Sequence, residues 1–452
     1  MEELKLSEIA AATGGSFNKE AVVNSVCIDT RKITEGCLFI CIIGERFDAH
    51  QFAKEALQKG AAAVMISKKT PLDGGAYVLV EDTAKAMLEL SGYYRSRFNI
   101  PVVGLTGSVG KTTTKEFTAL VVGAKYNAIK TQGNLNNEIG VPQMLFQLDN
   151  SVEAAVIEMG MNHFGEISRL TRQVRPTVGM ITNIGVSHIE NLGSREGILK
   201  AKLELLEGLE KGAPLIVNGD NDMLATVTAE GYKLVRFGID CDADFKALNI
   251  SEENSQTSFT VSYYGKQQKI VIPTIGVHNV YNALAAFAAG YFLGVEPQAA
   301  ADALSQYVPA GMRQKCVNAN GITSIEDCYN ASPDSMRAAL KTLASVKANK
   351  KIAVLSDMLE LGDFSDEAHY QVGKTAAENK IDYLFCVGTA SEKTVSGAKE
   401  NGLANAFLFE SKEALTEKLF ETAQKGDAVL FKASRGMHLE DVISEIYKRW
   451  EF

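Results

Sequence analysis

Residues 101–116 read PVVGLTGSVGKTTTKE, and no other stretch of the chain restricts its fold so tightly. An apolar run ends in a glycine-rich turn, and a Lys-Thr pair then opens a helical pattern. Such a turn works only where a buried strand hands over to a helix, because backbone N–H groups and the positive helix end must converge on one point. The chain must therefore contain a sheet with strands entering helices, an α/β layout. The spacing departs from the strict G-x-x-x-x-G-K-[ST] loop: Leu105 stands at the leading glycine position, and Gly104 and Gly107 flank it. The mechanics survive. Gly107 and Gly110 let the N–H groups of Ser108, Val109 and their neighbours turn toward phosphate oxygens. Lys111 would reach the β- and γ-phosphates of a nucleotide, and the Thr112 hydroxyl would ligate Mg²⁺, with Thr113 beside it.

A cation there needs a second protein ligand. The run AAVIEMG at 154–160 reads as a buried strand ending in Glu158, at the end of a sheet where such ligands lie. His188 follows another strand, VGMITNIG, and suits a second metal or a phosphate contact. All six histidines are expected at loops or element boundaries. By spacing alone, Lys202 in AKLELLE is a solvent-facing lysine on an amphipathic helix.

The remaining pattern divides the 452 residues into three segments, as ~150 residues per domain predicts. In residues 1–82, short apolar runs at 22–29, 36–44, 61–67 and 76–80 read as strands, with a helix near 50–59. Residues 83–311 repeat strand, loop and helix, which implies a mostly parallel sheet covered on both faces. Residues 312–452 carry a further set of strands, ITSIED, KIAVLSD, DYLFCVG, AFLF and DAVLFKAS, alternating with helices. They read as a Rossmann-like doubly wound sheet without the glycine fingerprint of a nicotinamide site.

The net charge of −9, with no basic block, argues against nucleic acid as a partner. Seven scattered cysteines without zinc spacing read as reduced thiols of a cytoplasmic protein. The longest apolar stretch, near 283–295, is too short for the ~20 residues of a membrane helix. On these residues alone the loop also suits a kinase or a nucleotide-gated binding protein.

Several motifs, dispersed over all three segments, resemble the Mur ligases, ATP-dependent amide ligases of bacterial cell-wall precursor synthesis. TGSVGKTTT resembles their ATP loop, and EMG at 158–160 with GEI at 165–167 their Mg²⁺-binding segment. Asn183 and His188 match an N-x-x-x-x-H element; Lys202 matches a lysine that the family carries as a carbamate, N6-carboxylysine. GVHNVYNALAA, with His278, Asn279 and Asn282, matches the stretch near adenine and ribose, and Arg313 the arginine opening the third domain.

The resemblance implies ATP and two Mg²⁺, held by Thr112, Glu158, His188 and carbamylated Lys202. Lys111 joins the last three as the catalytic set, and Asp327 joins the ATP contacts. It further implies a UDP-MurNAc-tripeptide carboxylate and D-alanyl-D-alanine as the incoming amine, in a protein read as a monomer. Thr30, Arg31, Gly44, Arg46, Asp48 and His50 would contact the uridine diphosphate end. Thr131, Asn134, Asn136, Asn137 and Glu138 would line the muramyl-peptide path. Tyr329, Asn330, Ser332, Asp334, Asp357 and Arg435 would shape the third-domain side, with Arg435 on a carboxylate.

Overall fold

The computed structural model describes residues 1–253, 255–309 and 311–450. Its first sheet takes β1 (Ser16–Phe17), β2 (Ser25–Cys27), β3 (Cys37–Ile40), β4 (Ala63–Ile66) and β5 (Tyr77–Leu79) in the order β1-β5-β4-β3-β2. Only the edge strand β1 is antiparallel. On one face, Phe39 and Val64 pack against Ala53 and Ala56 of α1 (Ala53–Gln58). On the other, Leu38 and Met65 share a core with Met87 and Leu90 of α2 (Thr83–Arg95). Asp82 caps α2, accepting from Ala84 and Lys85 N–H at 2.8 and 3.0 Å. The same core continues to Ile157 and Leu170, so the first sheet is welded to the central one by apolar burial.

The central sheet has nine strands. It is built from β6 (Val102–Thr106), β7 (Ala128–Lys130), β8 (Ala154–Glu158), β9 (Val178–Ile181), β10 (Pro214–Asn218), β11 (Lys233–Gly238), β12 (Phe245–Glu253), β13 (Gln256–Tyr263) and β14 (Lys266–Ile272). The order is β7-β8-β6-β9-β10-β11-β12-β13-β14. Strands β6 to β12 pair in parallel, as the strand–helix alternation requires. The antiparallel β12-β13-β14 extension departs from the expected strand–helix repeat. Its apolar residues alternate: Phe259, Val261 and Tyr263 are buried, with half-buried neighbours between them, the mark of a sheet covered on one face.

Alternate residues of β6 and β8 divide the central core. Val103, Leu105 and Val156 face α3 (Lys111–Gly123) and α4 (Val277–Phe292), while Ile157 faces α2 and α5 (Glu166–Val174). The phosphate loop thus emerges between two buried layers, at the carboxyl end of the sheet.

The third sheet takes β15 (Lys315–Ala319), β16 (Ile322–Asp327), β17 (Lys351–Ser356), β18 (Tyr383–Val387), β19 (Ala406–Phe409) and β20 (Ala428–Lys432) in the order β15-β16-β20-β17-β18-β19. All pairs but β15–β16 are parallel. Helices α6 (Pro333–Ser345), α7 (Ser365–Glu378) and α8 (Ser391–Glu400) cover one face; α9 (Lys412–Thr422) and α10 (Glu440–Arg449) cover the other.

His369 corrects the expectation that every histidine sits at an element boundary. It lies inside α7, where Nε2 accepts from Met358 N–H at 2.9 Å and Nδ1 donates to the Ser365 carbonyl at 2.8 Å. Among the described residues no helix is long and apolar enough to cross a membrane.

Candidate active site

Gly110 adopts φ +80°, a left-handed conformation that glycine takes without strain. A Cβ at Gly107 would lie 1.9 Å from Thr182 Oγ1, so only glycine lets the loop lie against the end of β9. Asn183 then holds the turn: its Oδ1 accepts from Ser108 N–H at 3.1 Å and Val109 N–H at 2.9 Å. Thr182 Oγ1 donates to the Val109 carbonyl at 2.8 Å, and Ser108 Oγ accepts from Gly185 N–H at 2.9 Å. Lys111 folds over the loop and donates to the Gly107 carbonyl at 2.8 Å. Burial lowers its amine pKa, with Arg313 adding to the effect and Glu158 opposing it.

The loop opens on a cleft of about 430 Å³ lined from the central and third domains. Ser108 to Thr113 line it and Gly107 does not; His278, Asn279, Asn282, Arg313 and Asp327, which the family resemblance assigned to the nucleotide, line it too. A polar chain joins them. Thr114 Oγ1 donates to Asn282 Oδ1 at 3.0 Å, and Asn282 Nδ2 donates to Asn279 Oδ1 at 3.2 Å. Gln314 Oε1 accepts from Asn279 Nδ2 at 2.9 Å and from His278 Nε2 at 2.7 Å. An amide oxygen only accepts, which places the His278 proton on Nε2. Arg313 lies 3.8 Å over the Tyr329 ring. Asp327 is bound by buried Lys432 at 2.6 Å, and Lys432 also donates to the Asn330 carbonyl at 3.0 Å.

Glu158 ends β8 at the floor of the cleft and is 1% exposed. Its Oε1 accepts from Asn136 Nδ2 at 2.8 Å, while Oε2 is buried without a hydrogen bond among the described residues. Lys115 Nζ lies 3.7 Å from Oε2 without donating to it, and a buried carboxylate oxygen that lacks a hydrogen bond costs stability unless something fills the gap. This donor set, with the Thr112 hydroxyl nearby, fits a hard divalent cation. No group of three or more His, Cys, Asp or Glu among the described residues could hold such an ion alone, so phosphate oxygens and water would complete its shell.

Lys202 corrects its reading as solvent-facing. The helix Arg195–Leu203 turns it inward, where it is 1% exposed. Burial, reinforced by Lys111, lowers its amine pKa well below the ordinary lysine value. A neutral amine is the form that adds CO₂ to give a carbamate. His188 lines the cleft and is held at a pKa of about 4 by burial, then by Lys111 and Lys202. Its Nδ1 lies 3.4 Å from Glu360 of the third domain.

Of the residues assigned to the muramyl-peptide path and the third-domain side, Asn134, Asn136, Asn137, Tyr329, Asn330 and Ser332 line the same cleft. Asp334 reaches the central domain, accepting from Val186 N–H at 3.3 Å while pairing with Arg337. Others are engaged elsewhere. Thr131 is buried and accepts from Glu158 N–H at 2.9 Å, so it orients Glu158. Glu138 pairs with Arg169. Asp357 caps α8, accepting from Ser391 N–H at 2.8 Å and Oγ at 2.7 Å. Arg435 faces solvent and pairs with Glu440 at 2.9 Å.

In the first domain, Thr30, Arg31, Gly44, Arg46, Asp48 and His50 do not line this cleft. Arg31 is exposed and forked onto Asp29, and the Thr30 carbonyl accepts from Lys59 at 3.4 Å. Gly44 lies in a two-residue strand paired with Phe47–Asp48, with Arg46 exposed at the turn between. Asp48 pairs with Lys68. His50 is buried with both ring nitrogens taken: Nδ1 binds Asp48 at 2.7 Å, and Nε2 accepts from Ser67 N–H at 2.9 Å. Both ring nitrogens of the imidazole are therefore engaged within its own domain.

Sequence reasoning passed over Gln314, Lys432 and Lys115. A lysine followed by a glutamate in a helix carries no signal of burial; only the packing shows that the Lys115 side chain is 1% exposed.

Three family models match the chain: Mur ligase family, catalytic domain, at residues 22–104; Mur ligase middle domain, at 105–290; and Mur ligase, glutamate ligase domain, at 312–435. A UDP-N-acetylmuramoyl-tripeptide–D-alanyl-D-alanine ligase of Bacillus subtilis is 40% identical over 95% of this chain and 94% of that protein. The Escherichia coli enzyme of that name is 36% identical over 98% of both. A crystal structure of MurF from Acinetobacter baumannii superposes with a TM-score of 0.93 over 99% of both chains at 31% identity. MurF ligase from Thermotoga maritima in complex with ADP gives 0.87 over 94% of this chain and 98% of that one, at 26% identity. With its phosphate loop, its three-segment architecture and these full-length likenesses, the chain belongs to the Mur ligase family.

Proposed function

We propose that the chain is an ATP-dependent ligase that joins D-alanyl-D-alanine to UDP-N-acetylmuramoyl-tripeptide, yielding the pentapeptide precursor of peptidoglycan, ADP and phosphate. The observation that carries this reading is the full-length likeness to ligases of that activity, with the phosphate loop facing a cleft shared with the third domain. Residues 1–82 take the UDP-substrate, 83–311 the nucleotide and 312–452 the dipeptide, in a cytoplasmic monomer.

A carboxylate acylates an amine poorly because oxide is a hopeless leaving group. Transfer of the γ-phosphoryl of ATP to the tripeptide carboxylate makes an acyl phosphate. The dipeptide amine then attacks the acyl carbon, and the tetrahedral intermediate expels phosphate. Most of the catalysis is positioning and charge neutralisation. Asn183 occupies the Ser108 and Val109 N–H groups, so the N–H groups that follow them, from Gly110 into the start of α3, would hold the β,γ-phosphates with Lys111, and Thr113 lies beside them. Polar side chains around Asn279 and Asn282 hold the base and ribose. Thr112 and Glu158 would hold one Mg²⁺, with His188 and carbamylated Lys202 beside a second, and the bound cations would neutralise phosphate charge. Asn134, Asn136 and Asn137 orient the peptide; Tyr329, Asn330 and Ser332 close the dipeptide side and exclude water from the acyl phosphate.

Mass spectrometry tests this directly. The protein is incubated with ATP, Mg²⁺, D-alanyl-D-alanine and a UDP-MurNAc-tripeptide ending in lysine or in diaminopimelate. At least one tripeptide is expected to gain the dipeptide less one water. A product carrying only phosphate, or equal use of single amino acids, overturns the reading.

A further inference from the structure

Lys115 sits one turn beyond Thr112 on α3, with its side chain 1% exposed. Its Nζ donates to the Gly133 carbonyl at 3.1 Å and lies 3.4 Å from Glu116 Oε1 and 3.7 Å from Glu158 Oε2. Glu116 pairs in turn with Lys130. The buried cation therefore touches three elements: the phosphate-loop helix, the carboxyl end of β8, and the turn after β7.

That turn also grips Glu158 from its other sides. Thr131 Oγ1 accepts from the Glu158 N–H at 2.9 Å, and Asn136 Nδ2 donates to Oε1 at 2.8 Å. The Asn136 carbonyl accepts from Gly160 N–H at 2.8 Å. A methionine could fill the same volume without the cost of desolvating an ammonium, so packing alone does not call for a lysine. An ammonium can do what a thioether cannot: donate to a loop carbonyl and set a positive charge 3.7 Å from Glu158 Oε2 at once.

We propose that Lys115 is a positioning residue that ties segment 131–137 to the phosphate-loop helix and aims Glu158 into the cleft. The muramyl-peptide path and the nucleotide site are then set as one unit. This assignment rests on the functional reading above, in which segment 131–137 lines the UDP-substrate.

The test uses the full-length protein without ATP or Mg²⁺. Calorimetry measures UDP-MurNAc-tripeptide and, separately, ADP. Lys115→Met is expected to weaken the tripeptide about tenfold or more, the loss of one charged hydrogen bond, with ADP affinity within about twofold of wild type. Lys115→Met also leaves Glu158 a buried, uncompensated carboxylate, so its melting temperature drops; Lys115→Met with Glu158→Gln recovers it, because the stranded charge is gone. Tripeptide affinity stays weak in that double variant, since Gly133 remains untethered, whereas a merely structural lysine would see both recover. Lys115→Met and the double variant binding tripeptide as wild type does overturns the assignment alone. A wild-type protein that fails to bind the tripeptide overturns the functional reading and this assignment with it.

Discussion

Gly185 lies at a contact between the central and third domains, and adding one methyl group there tests whether that contact matters. Its backbone has an ordinary conformation, so alanine brings no torsional strain. A Cβ built on it would lie 2.0 Å from Asp334 Oδ2 and 3.0 Å from Asp334 Cγ, yet 3.4 Å from Ser108 Cβ, an ordinary contact. The phosphate loop is therefore spared and the domain contact is not. Either the Asp334 carboxylate swings away and loses its bond to Val186 N–H, or the third domain stands off the loop. Losing one charge-assisted hydrogen bond costs about 1.5–3 kcal/mol, or roughly a 10- to 150-fold drop in the population that keeps this domain contact. Gly185→Ala is expected to lower kcat/KM for ADP release by that order while leaving ADP affinity within about twofold. Asp334→Ala removes the obstacle, so adding Gly185→Ala to it should cost little more, a non-additive cycle. Wild-type kcat/KM in Gly185→Ala alone would refute the reasoning.

Three further outcomes are expected. Asn183→Ala strips the side-chain acceptor from the Ser108 and Val109 N–H groups and should weaken ADP about tenfold; an unchanged affinity contradicts it. In the uncarbamylated protein His188 holds a pKa of about 4 against 6.5 in the unfolded chain, so only the unfolded state takes up its proton between those values. Its stabilising contribution is whole above pH 6.5 and is lost as pH falls toward 4; His188→Asn should flatten the pH dependence of denaturation in that window, and an unaltered slope counts against it. The protein equilibrated with ¹³C-bicarbonate should show a carbamate carbon by NMR that Lys202→Arg abolishes; no signal in the wild type refutes carbamylation.

What could be read in the sequence was local. The glycine pattern at 104–110 fixed a strand-to-helix turn, and alternating strands and helices fixed the parallel sheets, because both signals lie within ~30 residues of chain. The hairpin strands at 256–272 carry an equally local signal, period-two alternation around the Tyr264-Gly265 turn, although they interrupt the strand–helix repeat on either side. Burial of charged groups was not legible. Lys202 looks solvated on its helix until the packing turns it inward, near enough to Lys111, far away in sequence, for the two charges to oppose each other. Lys115 becomes buried only when residues 133 and 158 meet it. His50 looked available because its partner, the Ser67 N–H, comes from a different strand end. Asp357 has the residue type of a ligand contact, yet the start of α8 claims its oxygens.

Isotope transfer tests the central chemistry most directly. With ¹⁸O in the terminal carboxyl group of the UDP-linked tripeptide, each amide formed should release one orthophosphate carrying one ¹⁸O, because the carboxyl oxygen that takes the γ-phosphoryl leaves with it. Amide product accumulating beside unlabelled phosphate would contradict the account.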